Sequence, residues 1–521
     1  MTHEGRPVGA ALTRRRWFGR WRGWARTKNM ADATRAGGPA DDSGTAPRRP
    51  DGDEGLERAA LGPLNVLAIA VAAISPTTSV FLVYGSGLGT AGTGVVWAFV
   101  IGAVIALCMA LCYAEAGGRF PSAGGCYAIV RGALGPVAGG VTAVLFLLLG
   151  LVSTASILVA SATYLSSLVP GGLPTGWVAL GMMALVTALS IGRVSPASWV
   201  AAVMLALELA VILVFTGFAF AHAAPGAHPF GQPRAAREAG ALPHAVGLGA
   251  LLTAVVPALF AFNGYDWPLY FVEESRGSRR AGPRAVVVAA VVAVVVELLA
   301  VVAATSAVGD LGRTASDASP LSLVARQVMG ADGAKALIAG VVVAMFDTGL
   351  AANLGYARVC YATARDGMLP GPLNGFFGRT SARSRVPVRA FAFLFLGNGL
   401  LCVCSSLNDL VTFTGVMIVV VYLLVAVSAL VGRVRGRGLR GVFRMPWWPL
   451  PPLVAVVGVA LALSRQDGRD LAVALGVAAL ALAAYAVAAA RGRLPGRPAP
   501  EPAPRPGPEA APEPAPGGGD V

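Results

Sequence analysis

The chain has 521 residues, of which 55% are hydrophobic and 13% charged, and its mean hydropathy is +0.67. Soluble domains carry roughly 25% charged residues, so this composition argues against a soluble enzyme. The formal net charge of +14 does not point to nucleic acid either, because the basic residues gather in the N-terminal tail and in alternate short loops, as in membrane proteins.

Residues 1–61 form a basic tail without a sustained apolar period, which reads as disordered. Within it, Arg14, Arg15 and Arg16 precede Trp17, Phe18, Trp21 and Trp24, a composition suited to a short helix on an anionic membrane surface. Met30 is an alternative translation start that would remove this segment. No secretory signal peptide is expected, since the first apolar run comes too late and after too polar a stretch.

About twelve apolar stretches then follow, each near the ~20 residues that a bilayer requires. They are predicted at 63–84, 93–113, 137–168, 177–191, 199–220, 247–272, 285–308, 336–361, 388–404, 410–431, 450–462 and 471–490. The membrane domain is thus 62–490, and 491–521 is a Pro/Ala-rich tail unable to pack a core.

Loop charges orient these spans. With the N-terminus inside, the inner loops carry Arg119, Arg131, Arg193, Arg276, Arg365, Arg379, Arg383, Arg385, Arg433 and Arg440. The outer loops 85–92 and 170–175 carry no basic residue. Both termini are therefore expected in the cytoplasm, with the protein in the plasma membrane.

Two spans are interrupted. The first contains Ile74-Ser75-Pro76-Thr77-Thr78-Ser79 and the sixth Phe262-Asn263-Gly264-Tyr265-Asp266. Broken backbone is tolerated at membrane depth where it lines a cavity. A matched pair of such breaks in two halves of a chain points to the substrate site of a secondary transporter.

Cysteines and histidines offer little chemistry. Cys108, Cys112, Cys126, Cys360, Cys402 and Cys404 lie in or beside apolar spans and lack zinc spacing. They read as small buried residues. His222, His228 and His244 flank one outer loop. No metal site, cofactor or phosphate loop is expected, nor is any set of catalytic residues.

Three motifs carry a family resemblance. Tyr113-Ala114-Glu115-Ala116-Gly117-Gly118-Arg119-Phe120-Pro121-Ser122-Ala123-Gly124-Gly125-Cys126-Tyr127 continues to Leu134-Gly135-Pro136. It resembles the E-x-x-x-R-F-P-S-A-G-G-x-Y…L-G-P hallmark of the amino acid–polyamine–organocation superfamily. Phe260 to Pro283 resembles the broken sixth helix of that superfamily and its following loop, through Glu273, Glu274, Arg279, Arg280 and Pro283. Ala357-Arg358 through Tyr361-Ala362 to Arg365-Asp366-Gly367-Met368-Leu369-Pro370 resembles the end of the eighth. The resemblance implies an all-α membrane protein with a 5+5 inverted-repeat, leucine-transporter-like fold plus two C-terminal helices. It also implies alternating access about a central site.

In that frame the candidate substrate-binding residues are Ser75, Thr77, Thr78, Ser79, Phe262, Asn263, Gly264, Tyr265, Asp266 and Trp267. A helix restarting near Thr77 presents N–H groups and a positive dipole end to a carboxylate. Carbonyls freed near Phe262 suit an ammonium group. The Pro76-Thr77-Thr78 sequence departs from the family's Gly-x-Gly-type stretch. Asp266 falls where the family often places an acid linked to gating; capping of the restarted helix is its structural alternative.

The coupling candidates are Glu208, Asp266 and Asp347. Acids at membrane depth are rare and are functional candidates by default. Proton-coupled family members can carry a Lys in the fifth helix; this chain has no Lys there and offers Glu208. Glu297 is expected to pair with a polar neighbour. The expected function is secondary transport of an amino acid by proton symport or exchange, with sodium as the other coupling ion. The alternatives are a polyamine or organic-amine carrier of the same fold and an amino-acid sensor.

Overall fold

Proline and serine punctuate the helices of this chain. A computed structural model describes residues 71 and 74–490, apart from 123, 192–197, 226, 237, 239, 241, 271–277, 370–371, 382–385 and 438–442; of 198–202 and 278–281 it describes the backbone. Both tails, the 14–24 segment, Met30 and the first half of the first predicted span lie outside the described residues. So do Arg193, Glu273, Glu274, Arg276, Pro370, Arg383, Arg385, Arg440 and the side chains of Arg279 and Arg280.

Helix α1 spans Pro76–Ala91 and α2 Val95–Arg119, joined by a 3-10 turn at Gly92–Gly94. Then come α3 (Gly125–Leu134), α4 (Pro136–Ser166), α5 (Thr175–Ile191) and α6 (Ser198–Ala221). Two-residue strands, β1 (Arg234–Ala235) and β2 (His244–Ala245), pair antiparallel in the long loop before α7 (Leu248–Ala261). The chain continues through α8 (Ser278–Ser306), α9 (Leu311–Ser316), α10 (Pro320–Arg365) and α11 (Pro372–Phe377). Last come α12 (Val388–Cys404), α13 (Leu407–Val434), α14 (Leu450–Leu463) and α15 (Gly468–Ala490).

Pro76, Pro136 and Pro320 open α1, α4 and α10, where the missing N–H is lost to no partner and φ is already helical. Ser406 caps α13 by accepting from the N–H of Asp409 at 3.2 Å. Helix α10 is interrupted at Gly330, whose φ of 74° is left-handed.

Among the described residues, seven helical runs are long and apolar enough to cross a membrane, and the first of them, Pro76–Arg119, contains both α1 and α2. The shorter apolar helices α5, α7, α12 and α14 coincide with the predicted fourth, sixth, ninth and eleventh spans. The sixth is short because α7 stops at its break. Helix α10 begins well before the predicted eighth span, and the hairpin, α9 and α11 were not anticipated.

Helices α1 and α7 pack side by side, surrounded by α2, α8, α10 and α13. Helix α4 crosses α10 and α13, whereas α5 and α12 pair at the rim. Leu453, Val457, Leu475, Leu480 and Leu482 of α14 and α15 stay exposed, as a lipid-facing surface requires, since lipid tails are as apolar as leucine. Of the cysteines, all free, Cys404 is exposed and Cys108 half-buried, against the expectation of burial; the other four are enclosed.

The first and third motifs meet at one end of the bundle. Tyr127 of α3 donates to Asp366 Oδ2 at 2.9 Å, and Arg131 stands 3.9 Å from the same carboxylate. Gly125 has φ +49°, and a Cβ there would fall 1.8 Å from a Tyr270 ring carbon, so only glycine lets α3 start against that ring. Glu115, buried on α2, accepts from Arg119 at 2.8 Å, from Arg433 of α13 at 3.0 Å and from the N–H of Met445 at 2.9 Å.

Candidate functional site

The first break is a single residue. Ser75 has φ 48° and ψ 78°, left-handed geometry that disfavours a residue with a Cβ by about 1–2 kcal/mol. Its hydroxyl compensates by donating to Thr78 Oγ1 at 2.6 Å and accepting from the N–H of Thr78 at 3.3 Å. Thr78 Oγ1 in turn meets Thr348 Oγ1 of α10 at 2.9 Å, and Thr348 donates to the carbonyl of Ala344 at 2.8 Å. Ser79 donates to the carbonyl of Ile74 at 2.8 Å.

Thr77 faces away from this chain of hydroxyls. Its N–H donates to Glu208 Oε1 at 3.4 Å and its hydroxyl to the Glu208 carbonyl at 2.7 Å. Glu208, 3% exposed, thus comes from α6 to the positive N-terminal end of α1. Asp347 is half-buried on α10.

The second break is longer. Residues 262–266 form a chain of turns, with Gly264 at φ 123°, and a 3-10 turn at Trp267–Leu269 follows. Asn263 Nδ2 donates to the Tyr422 hydroxyl of α13 at 2.8 Å. Asp266, 3% exposed, accepts from the Tyr270 hydroxyl at 2.7 Å through Oδ2, and its Oδ1 has no hydrogen-bond partner. Its side chain makes no capping bond. Tyr265 is buried against the rings of Tyr113 and Tyr422 at 6.0 and 6.1 Å. Phe262 packs edge-on to Phe99.

A small cavity of about 30 Å³ lies between the breaks, room for about two water molecules. Thr78 and Ser79 from the first break, Asn263 and Trp267 from the second, Ser153 from α4, and Thr348 and Tyr356 from α10 supply its polar and aromatic lining. Ile74, Leu82, Val83, Ile157, Phe260 and Ala352 supply the apolar part. Among the described residues, no charged side chain lines it. A larger cavity, about 300 Å³, opens beside the hairpin and is lined by Gly89, Thr90, His244 and Ser316; neither break reaches it. The smaller one is the better candidate, because both helix breaks build it and it is where their polar groups converge.

Of the residues singled out in the sequence, Thr78, Ser79, Asn263 and Trp267 therefore meet around one space. Ser75 and Thr77 stand behind the first break, and Phe262, Gly264, Tyr265 and Asp266 do not line the cavity. Ser153 and Tyr356 escaped the sequence reading. The Ser153-Thr154…Ser156 cluster inside an apolar run was the available signal for Ser153; nothing local marked Tyr356. Glu297 differs from expectation: it is 0% exposed, and neither carboxyl oxygen has a hydrogen-bond partner.

Comparison with known proteins shows the family. A family model described as "Amino acid permease" matches residues 61–478. The chain is 25% identical over 427 residues to the branched-chain amino acid permease BcaP of Bacillus subtilis (strain 168), covering 78% of this chain and 87% of that one. It is 25% identical over 369 residues to the low-affinity putrescine importer PlaP of Escherichia coli (strain K12), covering 68% and 79%. It is also 25% identical over 362 residues to cationic amino acid transporter 4 of Mus musculus, covering 66% and 55%. With most of its length matched, the chain belongs to the amino acid permease family, within the amino acid–polyamine–organocation superfamily.

Proposed function

We propose that the protein is a secondary carrier that moves an amino acid with a neutral side chain across the plasma membrane, by alternating access around α1 and α7. The observation that carries this reading is the lining of the central cavity. Its hydroxyl and amide groups at two helix breaks suit a zwitterion, and Leu82, Ile157 and Phe260 suit an apolar side chain. Among the described residues no carboxylate stands on that lining, which disfavours a diamine, because a desolvated ammonium group needs a counter-charge. Similarity to a branched-chain amino acid permease points the same way. The rival polyamine reading draws on similarity to a putrescine importer and on Asp266, whose carboxylate is engaged by Tyr270 instead.

In this reading the chain crosses the bilayer about twelve times as a 5+5 inverted repeat plus two helices, with both termini in the cytoplasm. The cavity as it stands is too small for an amino acid, so α1, α7 or Trp267 moves when substrate enters. A proton gradient supplies the energy through Glu208. When ionised, Glu208 makes a charge-assisted bond to the Thr77 N–H; on taking up a proton it loosens that hold and frees α1. Asp266 and Asp347 are further coupling candidates, and sodium is the alternative ion.

Counterflow in proteoliposomes tests the substrate class. Labelled leucine or valine is expected to exchange, and putrescine and arginine are expected not to. Faster exchange of putrescine overturns the neutral amino acid in favour of the amine. Binding of leucine with no exchange at all makes the protein a sensor.

A further inference from the structure

The start of α1 has no donor left for a substrate carboxylate. Pro76 has no N–H. The N–H of Thr77 goes to Glu208 Oε1 at 3.4 Å, that of Thr78 to Ser75 Oγ at 3.3 Å, and that of Ser79 to the Ser75 carbonyl at 2.8 Å. The hydroxyls beside them are committed in the same sense. A hydroxyl has one proton and two lone pairs. Thr348 gives its proton to the Ala344 carbonyl at 2.8 Å, so in its 2.9 Å contact with Thr78 it accepts and Thr78 donates. Ser75 in turn donates to Thr78, and Ser79 donates to the Ile74 carbonyl. Thr78, Ser79 and Thr348 all line the cavity. Each therefore offers it a lone pair and no proton, and together they match the three N–H donors of an ammonium group. At the second break, where the sequence suggests carbonyls for that group, Ala261 and Phe262 do not line the cavity. The Phe260 carbonyl accepts from the N–H of Asn263 at 3.1 Å.

The donors stand on the other wall. Ser153 of α4 and Tyr356 of α10 are hydrogen-bond neighbours. Two hydroxyls bonded to one another use one of their protons and keep the second to give. Trp267 rests the benzo edge of its indole on Gly355, and its N–H lies on the other edge of the ring. Among the described residues, no main-chain carbonyl takes a proton from any of these three side chains.

We propose that the substrate binds with its ammonium group on Thr78, Ser79 and Thr348 at the first break and its carboxylate across the cavity on Ser153, Tyr356 and Trp267. This polarity is the reverse of the one a restarting helix suggests. It rests on the reading of the protein as a carrier of a neutral amino acid. Glu208 holds the place at the N-terminal end of α1 that a substrate carboxylate would take. When ionised it repels a second carboxylate there and attracts an ammonium group. Tyr356 lies two turns, about 12 Å, beyond Thr348 on α10, and long helical side chains lean back toward the N-terminus. That brings its hydroxyl toward Thr348, within the span of one small zwitterion. Leu82, Ile157 and Phe260 remain for the apolar side chain.

The test is inhibition of leucine counterflow in proteoliposomes by two analogues that each lack one pole of leucine. Isopentylamine lacks the carboxylate, and isocaproate lacks the ammonium group. Inhibition constants do not depend on how much of a variant folds. Thr348→Val removes an acceptor and keeps the shape. It is expected to weaken leucine and isopentylamine about ten-fold, the loss of a hydrogen bond to a charged group, and to leave isocaproate unchanged. Tyr356→Phe is expected to weaken leucine and isocaproate and to leave isopentylamine unchanged. Thr348→Ser keeps the oxygen and should return the wild-type constants. The opposite pattern, or equal effects on both analogues in both variants, overturns the polarity, while leucine exchange by the wild type leaves the carrier reading standing. A wild type that exchanges no leucine removes that reading and the polarity with it.

Discussion

Trp267 reaches the central cavity because position 355 has no Cβ. An added Cβ at Gly355 would fall 1.6 Å from a carbon of the indole ring, and the same ring packs edge-on to Tyr270 and Tyr356. Gly355→Ala must therefore displace the indole, an overpacking penalty of about 1–3 kcal/mol. With the ring pushed off its seat, the cavity narrows against large side chains. Leucine counterflow is expected to fall roughly ten-fold, in line with that penalty, while alanine falls less; competition between the two in the same vesicles measures the difference. Equal losses would mean that Trp267 does not bound the side-chain end of the site. Asp266 makes the opposite point at this scale. Its position beside a break suggested a substrate contact; in the structure one carboxylate oxygen accepts from Tyr270, four residues on, and the other has no hydrogen-bond partner.

The first helix owes its break to one left-handed residue and the cap that residue supplies. Ser75 combines an unfavourable φ of 48° with two hydrogen bonds to Thr78. The two effects separate on substitution. Ser75→Gly removes the cap and relieves the strain; Ser75→Ala removes the cap and keeps it. Alanine is therefore expected to be the less stable variant by about 1–2 kcal/mol, as read by thermal unfolding of the detergent-solubilised protein. Alanine equal to glycine would indicate that the left-handed turn is not held in the folded protein. Both breaks were visible in the sequence as polar, Pro- or Gly-containing interruptions of apolar runs. Their unlike forms, a one-residue reversal in one and a chain of turns in the other, depend on neighbours such as Thr348 and Tyr422 that lie far along the chain.

At the scale of the whole molecule, Glu115 ties the end of α2 to α13 and to the segment that follows it. One buried carboxylate serves two guanidinium groups and a backbone N–H. Glu115→Gln keeps the shape and removes the charge, leaving Arg119 and Arg433 without their counter-ion. Since both arginines are partly solvated, the expected loss is about 1–3 kcal/mol, typical of hydrogen bonds to a charged group. A lowered melting temperature with leucine affinity retained is the expected result; an unchanged melting temperature would show that water replaces the network without loss.

The sequence by itself determined that this is a multi-pass helical membrane protein, where most of its helices lie, and which family it joins. Those properties follow from local composition: apolar length, proline and serine at helix starts, and motif residues that need no partner to be recognised. It also marked the two segments that meet at the cavity. Only the tertiary structure decided which face each polar group presents. Thr77 and Thr78 are adjacent in the chain, yet one turns to Glu208 and the other to the cavity. Ser153, Tyr356 and the isolation of Glu297 were hidden for the same reason. A side chain's surroundings in a bundle are set by packing between helices that are distant in sequence, and no local pattern encodes them.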